Sequence, residues 1–150
     1  MMEPIFRMTN EGKRIQKEMK ELDKLMVAVG FPDDNKKNAN GVSIAEYAAY
    51  NDLGTNMTTS RPFMRNSAEK HGTDYNRIAE QTIKGIMSGG SAQAALEKLG
   101  VFAKGIVQEE ITDGVFESNK ESTIGRKGSS KPLIDTGTMR NSVNYEIRKR

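Results

Sequence analysis

The sequence holds no cysteine, one histidine and four prolines among its 150 residues. Without cysteine there are no disulfides, no thiol nucleophile and no thiolate metal site. A single histidine, His71, leaves no pair for a zinc site and no serine–histidine partnership, and its place at the end of a polar helix predicts a solvated ring. No apolar run approaches the roughly 18–20 residues of a membrane span. The opening MMEPIFRMTNEGK lacks the pattern of a signal peptide, so a soluble protein made in a cytoplasm is expected. Apolar residues are also scarce, at 35%, below the roughly 45–50% usual for globular chains. Such a chain can build one core, and residues 1–150 are expected to form a single domain.

Charge is abundant and nearly balanced, with 23 basic and 20 acidic residues. Basic residues stand apart from acids in two places, GRKGSSK (125–131) and the terminal RKR (148–150). Those patches keep a small basic nucleic-acid-binding module open as an alternative function. No aromatic platform accompanies them, so loops and a solvated tail are the plainer reading.

Periodicity predicts the elements. Residues 1–8 read as a mobile arm whose Ile5 and Phe6 could dock on a neighbour. Ile15, Met19, Leu22 and Met26 recur at helical spacing behind a cap at Thr9 or Asn10. LMVAVGF (25–31) reads as a buried strand and residues 32–41 as a polar turn. In 42–54, Ser43 and Glu46 have capping-box spacing, with Ile44, Tyr47, Ala48 and Leu53 on the inner face and Gly54 as the stop. Pro62 opens a helix that ends at Gly72. The next helix, 74–90, turns Tyr75, Ile78, Ala79, Thr82, Ile83 and Ile86 to one side. The longest stretch, 91–116, places Leu96, Leu99, Phe102, Ala103, Ile106, Val107 and Glu110 on one broad face. Gly100 and Gly105 interrupt it at about 1 kcal/mol each, and no single close-packing groove explains both. Residues 117–132 lose all periodicity and read as a long flexible loop. A short helix follows, then a half-buried strand with Val143, Tyr145 and Ile147 alternating. The expected class is α+β, with three to four helices on a small, mainly antiparallel sheet.

Asp135-Thr136-Gly137 invites comparison with aspartic proteases. That chemistry needs two carboxylates sharing a proton on a β-rich frame. This chain is mostly helical, its motif continues with Thr138, and Ile124-Gly125-Arg126 precedes the aspartate where such proteases place that triplet downstream. A structural role is the better reading, with Asp135 as the cap of a short helix whose Met139 and Val143 face inward.

Three segments in order, YAAYNDLGT (47–55), RPFMRNSA (61–68) and KPLIDTGTMRNSVNYEI (131–147), resemble the tail-completion and virion-morphogenesis proteins of tailed bacteriophages. Asp52-Leu53 and Thr59-Ser60 depart from the usual pattern of that group. The resemblance implies a structural protein of the phage neck, located at the head–tail junction of the virion and assembled in the host cytoplasm. It implies a six-fold ring of copies that contacts the tail tube or its terminator and the head connector or adaptor. Tyr50, Gly54, Arg61, Pro62, Phe63, Asp135, Thr136, Gly137 and Ser142 are then structural motif residues. Phe63 would bury its ring, while Arg61 would pair with a carboxylate or cap the preceding helix. Lys120, Arg126, Lys127 and Lys131 would face an acidic partner or DNA passing through the channel. No enzymatic activity, metal, cofactor or membrane contact is expected.

Overall fold

The computed structural model describes residues 7–33, 35–118, 125, 131, 133 and 137–150. Most of the expected N-terminal arm and most of the 117–132 loop, with Ile5, Phe6, Lys120, Arg126 and Lys127, lie outside the described residues, as do Asp135 and Thr136. The class is α+β, with six helices among the described residues where three or four were expected, and one antiparallel pair of strands. In order these are α1 (Asn10–Lys24), β1 (Leu25–Gly30), α2 (Ile44–Leu53), α3 (Phe63–Lys70), α4 (Gly72–Met87), α5 (Ala92–Asp113), α6 (Thr138–Ser142) and β2 (Asn144–Lys149).

Helix α5 is the axis of the fold, in contact with α1, α3, α4, α6 and both strands. Its buried residues include Leu96, Gly100, Ala103, Ile106, Val107, Glu110 and Ile111, close to the face expected from the sequence. Strands β1 and β2 pair from Leu25↔Lys149 to Gly30↔Asn144 and lie on one side of it. The two glycines of α5 have separate explanations. A Cβ on Gly100 would fall 2.1 Å from the Tyr145 ring, so glycine is what lets β2 approach; a Cβ on Gly105 meets open space. The run read as a buried strand is only half-buried, with Met26 43% exposed, because among the described residues one face of the two-stranded sheet has no layer above it.

Apolar residues gather in two clusters. The larger joins Ile44, Ala48, Phe63, Val107, Ile111, Leu133, Met139 and Val143 around the C-terminal half of α5. The smaller joins Ile86, Ala92 and Ala95 at the α4–α5 turn, with Leu22 of α1 against it. Between the helices, Tyr75 meets Phe102 edge-to-face at 5.3 Å. Ala79, expected on that inner side, is exposed.

Helix α1 begins as expected, with Thr9 Oγ1 accepting from the Gly12 N–H. None of its residues is buried, and polar bonds to the α4–α5 turn supplement its half-covered apolar stripe. The Arg14 guanidinium donates to the Ile86 carbonyl at 2.6 Å and the Gly90 carbonyl at 2.9 Å. One turn on, Glu18 Oε2 accepts from the Ala92 N–H at 2.8 Å. A cation thus sits at the C-terminal end of α4 and an anion at the N-terminal end of α5, the favourable arrangement for both helix dipoles. Glu11 holds the Arg14 guanidinium from the other side, and that hydrogen bond keeps the Glu11 carboxyl below the usual range.

Candidate interaction surface

The three segments that carry the motifs meet at one end of the molecule, around the C-terminal half of α5. Helix α2 starts where Ser43 Oγ accepts from the Glu46 N–H. Its end is closed by the loop that follows, carbonyl by carbonyl. The Tyr50 carbonyl accepts from the Gly54 N–H at 3.0 Å, and that of Asn51 from the Arg61 N–H at 2.7 Å. The Asp52 carbonyl accepts from Ser60 Oγ at 2.8 Å. Helix ends leave such carbonyls without intrahelical partners, so this loop completes the helix. Gly54 makes the turn at φ 78°, and a Cβ there would fall 2.9 Å from the Ser60 nitrogen.

The same loop starts α3. Pro62 occupies the N-cap with no side-chain cap of its own. Instead, Asp52 Oδ1 reaches from α2 to accept from the Met64 N–H at 2.9 Å. Asp52 is therefore the cap of the next helix. Phe63 buries its ring completely, edge-to-face with Phe31 at 6.0 Å. Arg61 is 6% exposed and its Nε donates to the Glu117 carbonyl at 3.1 Å. Its backbone N–H caps α2, one of the two roles expected of this residue, while the side chain ties the Glu117 backbone beside the α2–α3 loop.

From the C-terminal motif, Met139, Ser142 and Val143 are buried, and α6 packs on α2 and α5. The Gln108 side chain donates to the Arg140 carbonyl, and Arg140 Nε donates to Thr112 Oγ1. Gly137, at φ 80°, holds the N-cap of α6 without a side-chain bond. The cap expected two residues earlier at Asp135 lies outside the described residues. Lys131 is engaged within the chain, pairing with Asp113 at 3.3 Å while remaining half-exposed.

Two expectations are overturned here, the inner-face placement of Leu53 and the solvated ring of His71. Leu53 is 74% exposed, because the buried positions Ile44, Ala48 and Asn51 define a stripe from which it stands about 170° away, on the opposite side of the helix. Tyr50 is 47% exposed and contributes its carbonyl to the turn more than its ring to the core. His71 is half-buried between α3 and α4, with Nδ1 3.2 Å from Asp74 Oδ2, where a solvated ring was expected.

Leu53, Met57 at 94% exposure and Val115 at 93% stand on the segments that Arg61 joins. Met57 lies in a turn between Thr55 and Thr58, and Val115 lies between Gly114 and the half-buried Phe116. The sequence held little signal for this rim, because Met57 belongs to no periodic segment and the 91–116 stretch read as one helix ends at Asp113, two residues before Val115. Beneath it, Glu110 is 5% exposed and takes the Lys70 ammonium on both oxygens, at 2.7 and 2.9 Å. The last turn of α5 carries no basic residue of its own, so the cation comes from α3. Among the described residues no three histidine, aspartate or glutamate side chains are grouped to hold a metal ion. None of the helices found there is long and apolar enough to cross a membrane. No family model, curated protein or solved structure matches the chain.

Proposed function

We propose that this chain is a structural protein of a tailed-phage neck, which completes the top of the tail or joins it to the head connector through protein–protein contacts. One observation carries the reading. The segments that resemble tail-completion proteins converge on a single packed joint, and its margin presents Leu53, Met57 and Val115 to solvent. The hydrogen bonds of that joint close helix ends and tie loops together. An apolar margin on a rigid base is suited to burial against another protein, where a few large side chains in desolvated pockets dominate affinity. Copies of the chain in a six-fold ring, the tail tube or terminator, and the connector are the proposed partners.

Antibody labelling and mass spectrometry of particles released from the producing host test the proposal together. Signal at the head–tail junction, with peptides of the chain in purified particles, is the expected result. Absence of both label and peptides from intact particles would sink it. A Leu53→Ser/Met57→Ser/Val115→Ser variant should fold normally and be depleted from particles.

A further inference from the structure

We infer that α1 and the end of β2 form one cationic ridge that binds duplex DNA through its phosphates, without reading sequence. This surface is independent of the neck assignment and of the 125–131 loop. Lys13, Lys17, Lys20 and Lys24 follow one another at spacings of four, three and four, and all four are exposed. In an α-helix that spacing confines them to a stripe about 60° wide and about 16 Å long. The apolar stripe of Ile15, Met19 and Leu22 lies on the opposite side.

The ridge continues into the C-terminal strand. The Arg150 N–H donates to the Lys24 carbonyl at 2.9 Å, which sets exposed Arg148, Lys149 and Arg150 beside the end of α1. Glu21 shows how closely these cations crowd. Its carboxyl is held below the usual range first by the Lys24 hydrogen bond, and then by the charges of Lys24, Lys17 and Lys149. Beside that Lys24–Glu21 pair, two others engage ridge cations, Arg150 with Asp23 and Arg148 with Glu146. Lys13, Lys17, Lys20 and Lys149 form no ion pair with any described residue.

A solvated helix face ordinarily alternates its charges. Here Lys13–Lys17, Lys17–Lys20 and Lys20–Lys24 are like-charge neighbours, each opposing the helix. A polyanion laid along the stripe converts that repulsion into attraction and releases counterions. A lipid surface fits poorly, because interfacial helices present their apolar side to the membrane, whereas Leu22 packs against the Ile86–Ala92–Ala95 cluster. Single strands are held by aromatic stacking, and α1 has no aromatic residue. Exposed lysines without a base-reading partner suit the phosphates of a duplex.

Fluorescence anisotropy with a 30-base-pair duplex, at salt from 50 to 200 mM, tests the inference. Four to five phosphate contacts predict a log–log salt slope of about −4 and an affinity loss on the order of a hundredfold across that range. The Lys13→Gln/Lys17→Gln/Lys20→Gln variant, with its fold checked by circular dichroism, should flatten the slope by about 3 units and bind at least about tenfold more weakly. An Arg126→Gln/Lys127→Gln variant should bind as the parent does. No salt-dependent binding by the parent, or equal binding by the triple variant, would overturn the inference. So would tighter retention on anionic vesicles than on the duplex.

Discussion

At the scale of single residues, the two glycines of α5 make a controlled comparison. Gly105→Ala adds a methyl in open space within a helix and should stabilise by about 0.5–1 kcal/mol. Gly100→Ala drives the same methyl into the Tyr145 ring, and the resulting overpacking should cost about 1–3 kcal/mol. Urea denaturation of both variants checks the pair, and equal effects would deny the close approach of β2. Gly54→Ala belongs with the second case. Its positive φ and the adjacent Ser60 backbone should make it lose about 1–3 kcal/mol. The sequence identified Gly54 as a stop from its place after a periodic run. Nothing local distinguished Gly100 from Gly105, because the atoms that separate them belong to a strand more than forty residues away.

Elements began where their caps predicted, at Thr9 and Ser43, because the cap oxygen and the amide it accepts from lie within one turn of sequence. The alternation of Tyr145 and Ile147 likewise foretold the half-buried face of β2. Partners of Arg14, Glu18, Asp52 and Lys70 were invisible to the same reading, since each reaches another element and leaves no periodic trace. These long-range bonds give predictions of their own. Glu18→Ala removes the acceptor at the start of α5 and should cost about 0.5–2 kcal/mol, whereas Glu18→Gln keeps an acceptor and should cost less. Lys70→Met leaves the Glu110 carboxylate buried without its cation, at a cost of about 1–3 kcal/mol. Adding Glu110→Gln to that variant should recover part of the loss. Thermal melts of the single and double variants would refute the coupling if their effects simply added.

For the whole molecule, stability should respond to alkali through the α4–α5 contact. Burial raises the Tyr75 hydroxyl above its ordinary value near 10. The unfolded chain then ionises first, so stability holds below about pH 10 and falls as pH rises toward the folded value. Tyr75→Phe should flatten that part of the decline and leave the melting temperature at pH 7 nearly unchanged, which a pH series of melts will show. The sheet has a consequence at the same scale, in the rate at which backbone amides trade their hydrogens with solvent. The bond from Arg150 to Lys24 sets the phase of the ladder, so the amides of Met26, Ala28 and Gly30 point toward β2, as those of Glu146 and Arg148 point toward β1. Those of Val27, Val29, Tyr145 and Ile147 point away from the pair, because among the described residues each strand is also an edge. In heavy water the two sets should separate into slow and fast exchangers, residue by residue. Any partner that adds a strand would then write its position into the record, slowing Val27 and Val29 on one edge or Tyr145 and Ile147 on the other.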